Sequence, residues 1–186
     1  WILDQFAHWD DIEVHYRNHV IRSGGHGFRG LGRQRLLQLL QKRALELGVK
    51  LHFEHEIHNL DQFKDADLIV ACDGINSWIR DEHAEHFQPD IDVRSNRFVW
   101  LGTNKVFEAF TFIFEPTEHG WIWAHAYRFD KDTSTFIIEC TEETLKGLGF
   151  DQMSQEESIA VCENIFSKYL DGHRLMSNAK HLRGSA

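Results

Sequence analysis

The sequence predicts a mixed α/β (α+β) fold: an α/β layer followed by an antiparallel sheet with a covering helix. Three observations predict it. Residues 33–47 form an amphipathic helical pattern, residues 68–72 are an unbroken apolar run, and the stretch 97–140 is rich in β-branched and aromatic residues. A helix beside apolar strands is typical of an α/β layer, and short strands separated by turns indicate an antiparallel sheet.

The N-terminal part predicts a hairpin and a loop. Residues 10–22 alternate apolar and polar side chains on either side of a turn at residues 17–19. Residues 23–32 contain five glycines, which predicts a flexible loop. This loop is neither a Walker A loop nor a dinucleotide fingerprint, because no Gly-Lys-Ser/Thr follows it and no buried strand precedes it.

The clearest helix is predicted over residues 33–47. Its apolar residues recur at helical spacing and predict one buried stripe. The stripe consists of Leu36, Leu40, Ala44 and Leu47, widened by Leu37 and Leu39. Gly48 is a natural end for this helix, and residues 49–53 predict a strand.

Residues 67–73 predict a second strand of the α/β layer. Five successive apolar residues suit a strand that is covered on both faces, as in a parallel sheet. Asp73 and Gly74 then turn the chain, and Ser77 is placed to cap the next helix.

The second half predicts four antiparallel strands in a meander. The segments are 97–107, 110–116, 120–129 and 134–140. A capping box at Ser154–Glu157 then predicts a helix that continues to about Leu170. Its inward residues are expected to be Ile159, Cys162, Ile165, Phe166 and Tyr169.

Composition excludes several classes of protein. The chain has 186 residues and a net charge of −9, which argues against nucleic acid as a partner. No apolar run is long enough for a transmembrane helix, so no membrane partner is expected. Three scattered cysteines favour a reducing, cytoplasmic compartment. The chain starts at Trp1 rather than Met, so we expect it to be an excerpt of a longer protein.

Two common kinds of site find little support. Thirteen histidines include a trio at 52, 55 and 58, but strand residues three apart point to opposite faces, and no zinc-ligand spacing accompanies them. Surface histidines explain this better, so no metal is expected. A Ser-His-Asp hydrolase usually carries its nucleophile in a Gly-x-Ser-x-Gly turn. Ser77 lies in Asp-Gly-Ile-Asn-Ser instead, so the sequence does not support a hydrolase of this kind.

The turn after the second predicted strand is a better candidate. The carboxyl ends of parallel strands are where α/β folds bind ligands. There Asp73 could accept hydrogen bonds from ligand hydroxyls, and Gly74 leaves room for close approach. Arg80 and Arg33 each lie in the first turn of a predicted helix, where the helix dipole disfavours a cation. The alternative is that both are ordinary surface arginines.

Residues 67–80 resemble the "DG" motif of the FAD-dependent aromatic monooxygenases related to p-hydroxybenzoate hydroxylase. The motif residues here are Asp73, Gly74, Ser77 and Arg80. A second motif of that family, a small residue and Arg followed by spaced leucines, is matched by Gly32, Arg33, Leu36 and Leu40. Residues 97–103 are similar to the first strand of the family's substrate domain. The resemblance covers roughly residues 20–170 in the family's order.

Three segments are similar to one branch of that family, the 2-aminobenzoyl-CoA monooxygenase/reductase and salicylyl-CoA 5-hydroxylase group. They are HWDDIEVHYR, IRSGGHGFRGLGRQRLL and HGWIWAHAYRF. The branch implies an aromatic acyl-CoA thioester as substrate, with FAD and NAD(P)H as cofactors.

The resemblance implies roles for particular residues. Arg33, Asp73, Gly74 and Arg80 would contact or organise the FAD site. Trp123, His125 and Tyr127 project from one face of the strand after the turn that ends at Gly120, and they are the substrate-binding candidates. The alternative is that Trp123 and Tyr127 belong to the core. No catalytic residue is assigned.

The resemblance also implies what is missing. The family begins with a buried strand that leads directly into a GxGxxG loop, and neither that strand–loop unit nor the family's later Gly-Asp segment occurs in this sequence. We therefore expect residues 1–90 to be part of an FAD-binding domain, residues 91–186 to be the substrate-domain sheet and helix, and this chain alone to hold FAD weakly. A non-catalytic α/β binding module, a flavin reductase and a halogenase remain alternatives. The oligomeric state is left open.

Overall fold

The computed structural model describes residues 1–177. These residues divide into two compact units: residues 1–43 together with 95–177, and residues 44–94. The predicted mixed α/β class is confirmed. The predicted division near residue 90 into FAD-binding and substrate domains stays a prediction.

All strands of the described chain lie in the first unit. They are β1 (Ala7–Trp9), β2 (Ile12–Tyr16), β3 (His19–Ser23), β4 (Phe28–Gly30), β5 (Arg97–Thr103), β6 (Phe110–Thr117), β7 (Gly120–Arg128), β8 (Ser134–Cys140) and β9 (Leu175–Ser177). Seven of them form one mixed sheet in the order β3-β2-β6-β7-β8-β5-β9, while β1 and β4 form a separate two-stranded ribbon.

The helices are distributed over both units. They are α1 (Arg33–Glu46), α2 (Trp78–Glu82), α3 (Ala84–Phe87), α4 (Glu142–Gly147), α5 (Gln155–Ile165) and α6 (Ser167–Leu170). Short 3-10 turns occur at Leu3–Gln5 and Asp61–Phe63. Among the residues described, no helix is both long enough and apolar enough to span a membrane.

The predicted N-terminal hairpin is confirmed as β2 and β3. Its turn residues Arg17 and Asn18 have φ of 48° and 64°, the left-handed pair that a two-residue type I′ turn requires. β2 also pairs in parallel with β6, so the hairpin extends the large sheet.

The four predicted strands of the second half are confirmed, but their predicted meander order is wrong. β5 pairs with β8 instead of β6, which gives the local order β6-β7-β8-β5. The link between β5 and β6 is not a tight turn, since it buries Phe107 and Ala109. The Phe107 amide donates to the Ser134 hydroxyl at 3.1 Å, which ties this link to the start of β8.

The core lies between one face of this sheet and the C-terminal helices. Phe136, Ile113 and Phe166 are all 0% exposed. The capping box at Ser154 and Glu157 is confirmed. The single helix predicted from the capping box to about Leu170 is instead two helices, because α5 ends before Phe166 and α6 follows that residue.

In the second unit, the two predicted strands at 49–53 and 67–73 are wrong. Both segments are irregular, and Leu68 and Val70 are 77% and 69% exposed. A strand needs a neighbouring strand for its backbone hydrogen bonds, and no strand of the described chain pairs with either segment.

Helix α1 is confirmed, but its predicted buried stripe is only partly right. Leu39 is buried, whereas Leu40 and Leu47 are 49% and 64% exposed. Leu47 also lies beyond the last residue of α1. The helix and the two strands are predicted to form one edge of an α/β layer, and those two strands do not form.

Candidate functional site

Strand β7 places the three predicted substrate-binding residues on one face of the sheet. Trp123, His125 and Tyr127 are half-buried on that face. The alternate residues Ile122, Ala124 and Ala126 are 0% exposed and point into the core. Trp123 and Tyr127 are therefore not members of the core cluster.

Strand β6 supplies three more rings to the same face. The Phe112 ring contacts the His125 imidazole edge to face at 5.0 Å between centroids. Phe110 stacks on Tyr127 at 5.0 Å, and Phe114 stacks on Trp123 at 6.5 Å. We call this surface the aromatic face. It comprises Phe110, Phe112, Phe114, Trp121, Trp123, His125 and Tyr127.

The β1–β4 ribbon covers one end of the aromatic face. Trp9 stacks on Tyr127 at 5.8 Å, and Phe28 packs on Phe110 at 5.4 Å. A Cβ at Gly30 would lie 2.7 Å from the Arg128 carbonyl oxygen, so the approach of the ribbon depends on this glycine. Residues 28–30 were predicted to be flexible loop. They form β4 instead, because β1 supplies its hydrogen-bonding partner.

A single carboxylate accompanies these rings. Glu139 of β8 lies directly opposite Trp123 and accepts a hydrogen bond from its indole N–H at 3.2 Å. Its second oxygen accepts from the Asn96 amide at 2.8 Å. Burial lowers the pKa of His125, and the negative charge of Glu139 opposes that shift. His125 is therefore neutral over a wider pH range than a free imidazole.

The DG loop of the second unit is built by local contacts. Ser77 is buried and caps α2 by accepting from the Arg80 amide at 3.1 Å. The Arg80 guanidinium donates to the Ile75 carbonyl at 2.7 Å, which closes the loop behind Gly74. Asp73 is exposed, and Gly74 has φ of +88°.

Three of the four predicted flavin-contacting residues thus share one loop. Arg33 lies apart in sequence and belongs to the first unit, where it begins α1 with an exposed side chain.

The opposite face of the sheet contains an apolar cavity of about 230 Å³. Two of its lining residues are the buried free cysteines Cys140 and Cys162. Burial raises the pKa of Cys162 to about 12 and also raises that of Cys140. Both thiols remain protonated at neutral pH, which makes them core groups rather than nucleophiles.

Metal-ligating side chains do not cluster in residues 1–177. No three His, Cys, Asp or Glu residues there are arranged to hold an ion. His52 and His55 have ring centroids 6.2 Å apart, without a third ligand beside them in the described chain.

Comparison with known proteins relates this chain to aromatic monooxygenases. No family model matches the sequence. The chain is 38% identical over 179 residues to salicyloyl-CoA 5-hydroxylase of a Streptomyces species, which covers 92% of this chain and 35% of that protein. It is 30% identical over 166 residues to protodeoxyviolaceinate monooxygenase of Chromobacterium violaceum, covering 88% of this chain and 44% of the relative.

This chain belongs to the FAD-dependent aromatic monooxygenases. A third member, 3-hydroxy-4-methyl-anthranilyl-[aryl-carrier protein] 5-monooxygenase of Streptosporangium sibiricum, is 32% identical over 70% of this chain and 36% of its own length. The chain spans 35% to 44% of the lengths of these relatives.

The fold is similar to that of a solved flavin-dependent enzyme. The structure matches two structures of the flavin-dependent brominase Bmp2, the wild-type enzyme and a triple mutant, with TM-scores of 0.51 and 0.50. Each match covers 94% of this chain and 50% of the brominase chain, at 12% and 11% identity. At that identity the likeness extends to the fold alone.

The DG loop fits a flavin in its chemistry. Within residues 1–177, and apart from the two neighbours of Gly74 in the chain, no atom lies within 4 Å of the position where a Cβ on Gly74 would be, so a ligand can approach the backbone. The exposed Asp73 carboxylate is an acceptor for ligand hydroxyl groups. The exposed Arg33 guanidinium suits a phosphate oxygen.

Sequence reasoning missed Glu139 and Trp9. Glu139 is the one charged residue in the apolar strand β8, at an alternate position that shares a face with Ile137. That alternation could have placed it beside Trp123, had the β7–β8 register been known. Nothing in the sequence indicates that Trp9 stacks on Tyr127.

Proposed function

We propose that this chain supplies the substrate-binding face and part of the flavin site of an enzyme that hydroxylates an aromatic ring. The observation that carries the proposal is the aromatic face. Six aromatic rings and one imidazole lie on two neighbouring strands, outside the core, in a chain related to aromatic monooxygenases. Such a surface suits a flat aromatic ligand, since aromatic pairs add to the free energy of burial.

The proposed flavin contacts of the second unit are Asp73 and Gly74, with Arg80 holding the loop, and Arg33 of the first unit is a separate candidate contact. A bound flavin, reduced by NADH or NADPH, would supply the activation of molecular oxygen. The chain's own part is to position hydroxyl and phosphate groups of the cofactor. The Arg80–Ile75 hydrogen bond keeps Gly74 open for this purpose.

The proposed substrate is an aromatic acyl thioester. The Arg17 guanidinium lies over one ring of the aromatic face, 5.8 Å from the Trp121 ring centroid. Away from that end, a free carboxylate on a half-buried aromatic surface would need a cationic partner, whereas a thioester carries no charge at its carbonyl and needs none. Two relatives are named for aromatic groups carried on CoA or on an aryl-carrier protein.

Hydroxylation by electrophilic attack needs an electron-rich ring. A neutral imidazole can accept a hydrogen bond from a hydroxyl or amino group on the ring, which raises the electron density of that ring. His125 is the basic group of the aromatic face, and burial keeps it neutral by lowering its pKa. Trp123 and Tyr127 would hold the ring beside it and exclude water.

Residue composition supports a cytoplasmic location. All three cysteines are free, which suits a reducing compartment. A net charge of −9 disfavours nucleic acid as a partner.

The test is product analysis with the full-length protein. FAD, NADH or NADPH, and either salicyloyl-CoA or free salicylate are supplied, and the products are identified by mass. We expect one oxygen atom to be added to the thioester and little or none to the free acid. The His125→Phe variant should lose most of this product, and the exposed Glu118→Gln variant should retain it.

Other outcomes would assign another function. A brominated product in the presence of bromide would make the protein a halogenase. NAD(P)H oxidation without any modified aromatic product would make it a reductase. Absence of both flavin binding and turnover would favour the binding module.

A further inference from the structure

Glu139 is out of place on the surface where it lies. The residues of β5 to β8 that share its face include Phe98, Phe114, Trp123 and Ile137, and no other one carries a carboxylate. Placing a half-buried carboxylate among aromatic rings is unfavourable unless hydrogen-bond donors satisfy it. A serine or threonine would fit the strand without that penalty.

Two donors satisfy this carboxylate, and both hold it in one place. The Trp123 indole N–H donates to Oε2 at 3.2 Å, and the Asn96 side-chain amide donates to Oε1 at 2.8 Å. Asn96 comes immediately before β5, so the carboxylate connects a strand end to the aromatic face. The indole has no other donor, so this bond fixes the direction in which its ring lies.

We propose that Glu139 is a positioning residue for the substrate. Its carboxylate holds the Trp123 indole in one orientation, and the indole then forms a wall against which the aromatic ring of the substrate binds. This inference rests on the proposed function for its substrate, but the hydrogen bond that it invokes exists without substrate.

Glu139 also acts on His125 through its charge. The two residues are diagonal neighbours, because Glu139 pairs with Trp123 while Ile137 pairs with His125. The negative charge favours the protonated imidazole and opposes the effect of burial. Glu139 therefore acts on the aromatic face in two ways: it orients the Trp123 indole and it favours protonation of His125.

The first measurement uses the full-length protein without substrate. With ¹⁵N-labelled tryptophan, the Trp123 indole N–H resonance is identified as the one that is absent in Trp123→Phe. Glu139→Leu should move this resonance clearly, since it removes the acceptor. Glu118→Gln, an exposed acid in the β6–β7 turn, should leave it in place.

The second measurement is steady-state kinetics with salicyloyl-CoA. Glu139→Leu should raise KM about tenfold with kcat changed by less than about twofold, as expected for a lost charge-assisted hydrogen bond that acts on binding. Trp123→Phe should raise KM similarly. The double variant should be no worse than either single variant, because both remove the same interaction. Glu139→Gln keeps an amide oxygen as acceptor and should stay within about threefold of wild type.

An unmoved indole resonance in Glu139→Leu would overturn the proposal. So would a double variant whose increase in KM equals the product of the increases in the two single variants. If Glu139→Leu does not fold, Glu139→Asp replaces it. The shorter side chain withdraws the carboxylate from the indole. We therefore expect the Trp123 indole resonance to move and KM to rise, as in Glu139→Leu. If the protein turns over no aromatic thioester, the proposed function fails, while the indole resonance still decides the role of Glu139.

Discussion

The two compact units use similar apolar residues in opposite ways. In the first unit Phe136, Ile113 and Phe166 are 0% exposed. In the second unit Ile75 and Val93 are 76% and 85% exposed. Hydrophobicity alone therefore does not decide burial in this molecule.

The difference follows from backbone pairing. Residues 122–126 of β7 have a strand on both sides, so their apolar side chains are presented to helices as a continuous surface. Residues 67–73 have no strand beside them in the described chain and present no such surface. An apolar run forms a strand only when a neighbour accepts and donates its backbone hydrogen bonds.

Amide hydrogen exchange should separate the two units most strongly. Amides of β7 are expected to exchange only through global unfolding, with protection on the order of a thousandfold or more. None of the amides of residues 67–73 donates a backbone hydrogen bond to another described residue, so we expect exchange within about tenfold of unfolded rates. Strong protection of residues 67–73 in this chain would restore the predicted strand. It would also mean that the two units do not differ in backbone pairing.

A matched pair of phenylalanines tests the same contrast energetically. Phe136→Ala removes a ring that is 0% exposed and should lower the free energy of unfolding by about 3–5 kcal/mol. Phe53 is 65% exposed, and Phe53→Ala should change that free energy by less than about 0.5 kcal/mol. Chemical denaturation of both variants measures the difference. Equal losses would mean that the Phe53 ring is buried in solution.

Features of the first unit that depend on short sequence separation could be predicted. The hairpin at 12–23 follows from alternation and a turn of Arg17 and Asn18, and the start of α5 follows from a Ser–Glu capping box. Strand order could not be predicted, because it depends on where Phe107 and Ala109 are buried between β5 and β6. That burial is a tertiary contact with no local signal.

The candidate site divides in the same way. Alternation along β7 is enough to place Trp123, His125 and Tyr127 on one face. The partners of that face come from elsewhere in the chain: Trp9 from β1, and Glu139 from β8. They become neighbours only through sheet register, which no spacing in the sequence encodes.

Helix caps should show that local rules operate equally in both units. Ser154 caps α5 in the first unit and Ser77 caps α2 in the second. Each Ser→Ala change should lower the stability of the capped helix start by about 1 kcal/mol. Amide hydrogen exchange should then be roughly fivefold faster at Glu157 and at Arg80. Each Ser→Asp change retains a capping oxygen and should exchange as wild type. An effect at Ser154 without one at Ser77 would mean that α2 is not capped in solution.

The smallest expected effect is the pH dependence that His125 contributes to stability in the first unit. Burial lowers its pKa in the folded chain below the ordinary value of 6.5. Between the lowered pKa and 6.5 the unfolded chain binds more protons than the folded chain, so the free energy of unfolding rises with pH in that window. The contribution is fully present above pH 6.5 and is lost as the pH falls through the folded pKa.

Replacing His125 by Gln should flatten the rise in the free energy of unfolding with pH. The rise is measured as the difference in denaturation midpoint between two pH values on either side of the window. Glu139→Gln should make this rise larger. Without the carboxylate, nothing offsets the effect of burial, so the pKa of His125 falls further and the window widens. A Glu139→Gln variant with an unchanged window would mean that the carboxylate does not act on the imidazole. A His125→Gln variant that keeps the wild-type slope below pH 6.5 would place the titrating group elsewhere in the sheet.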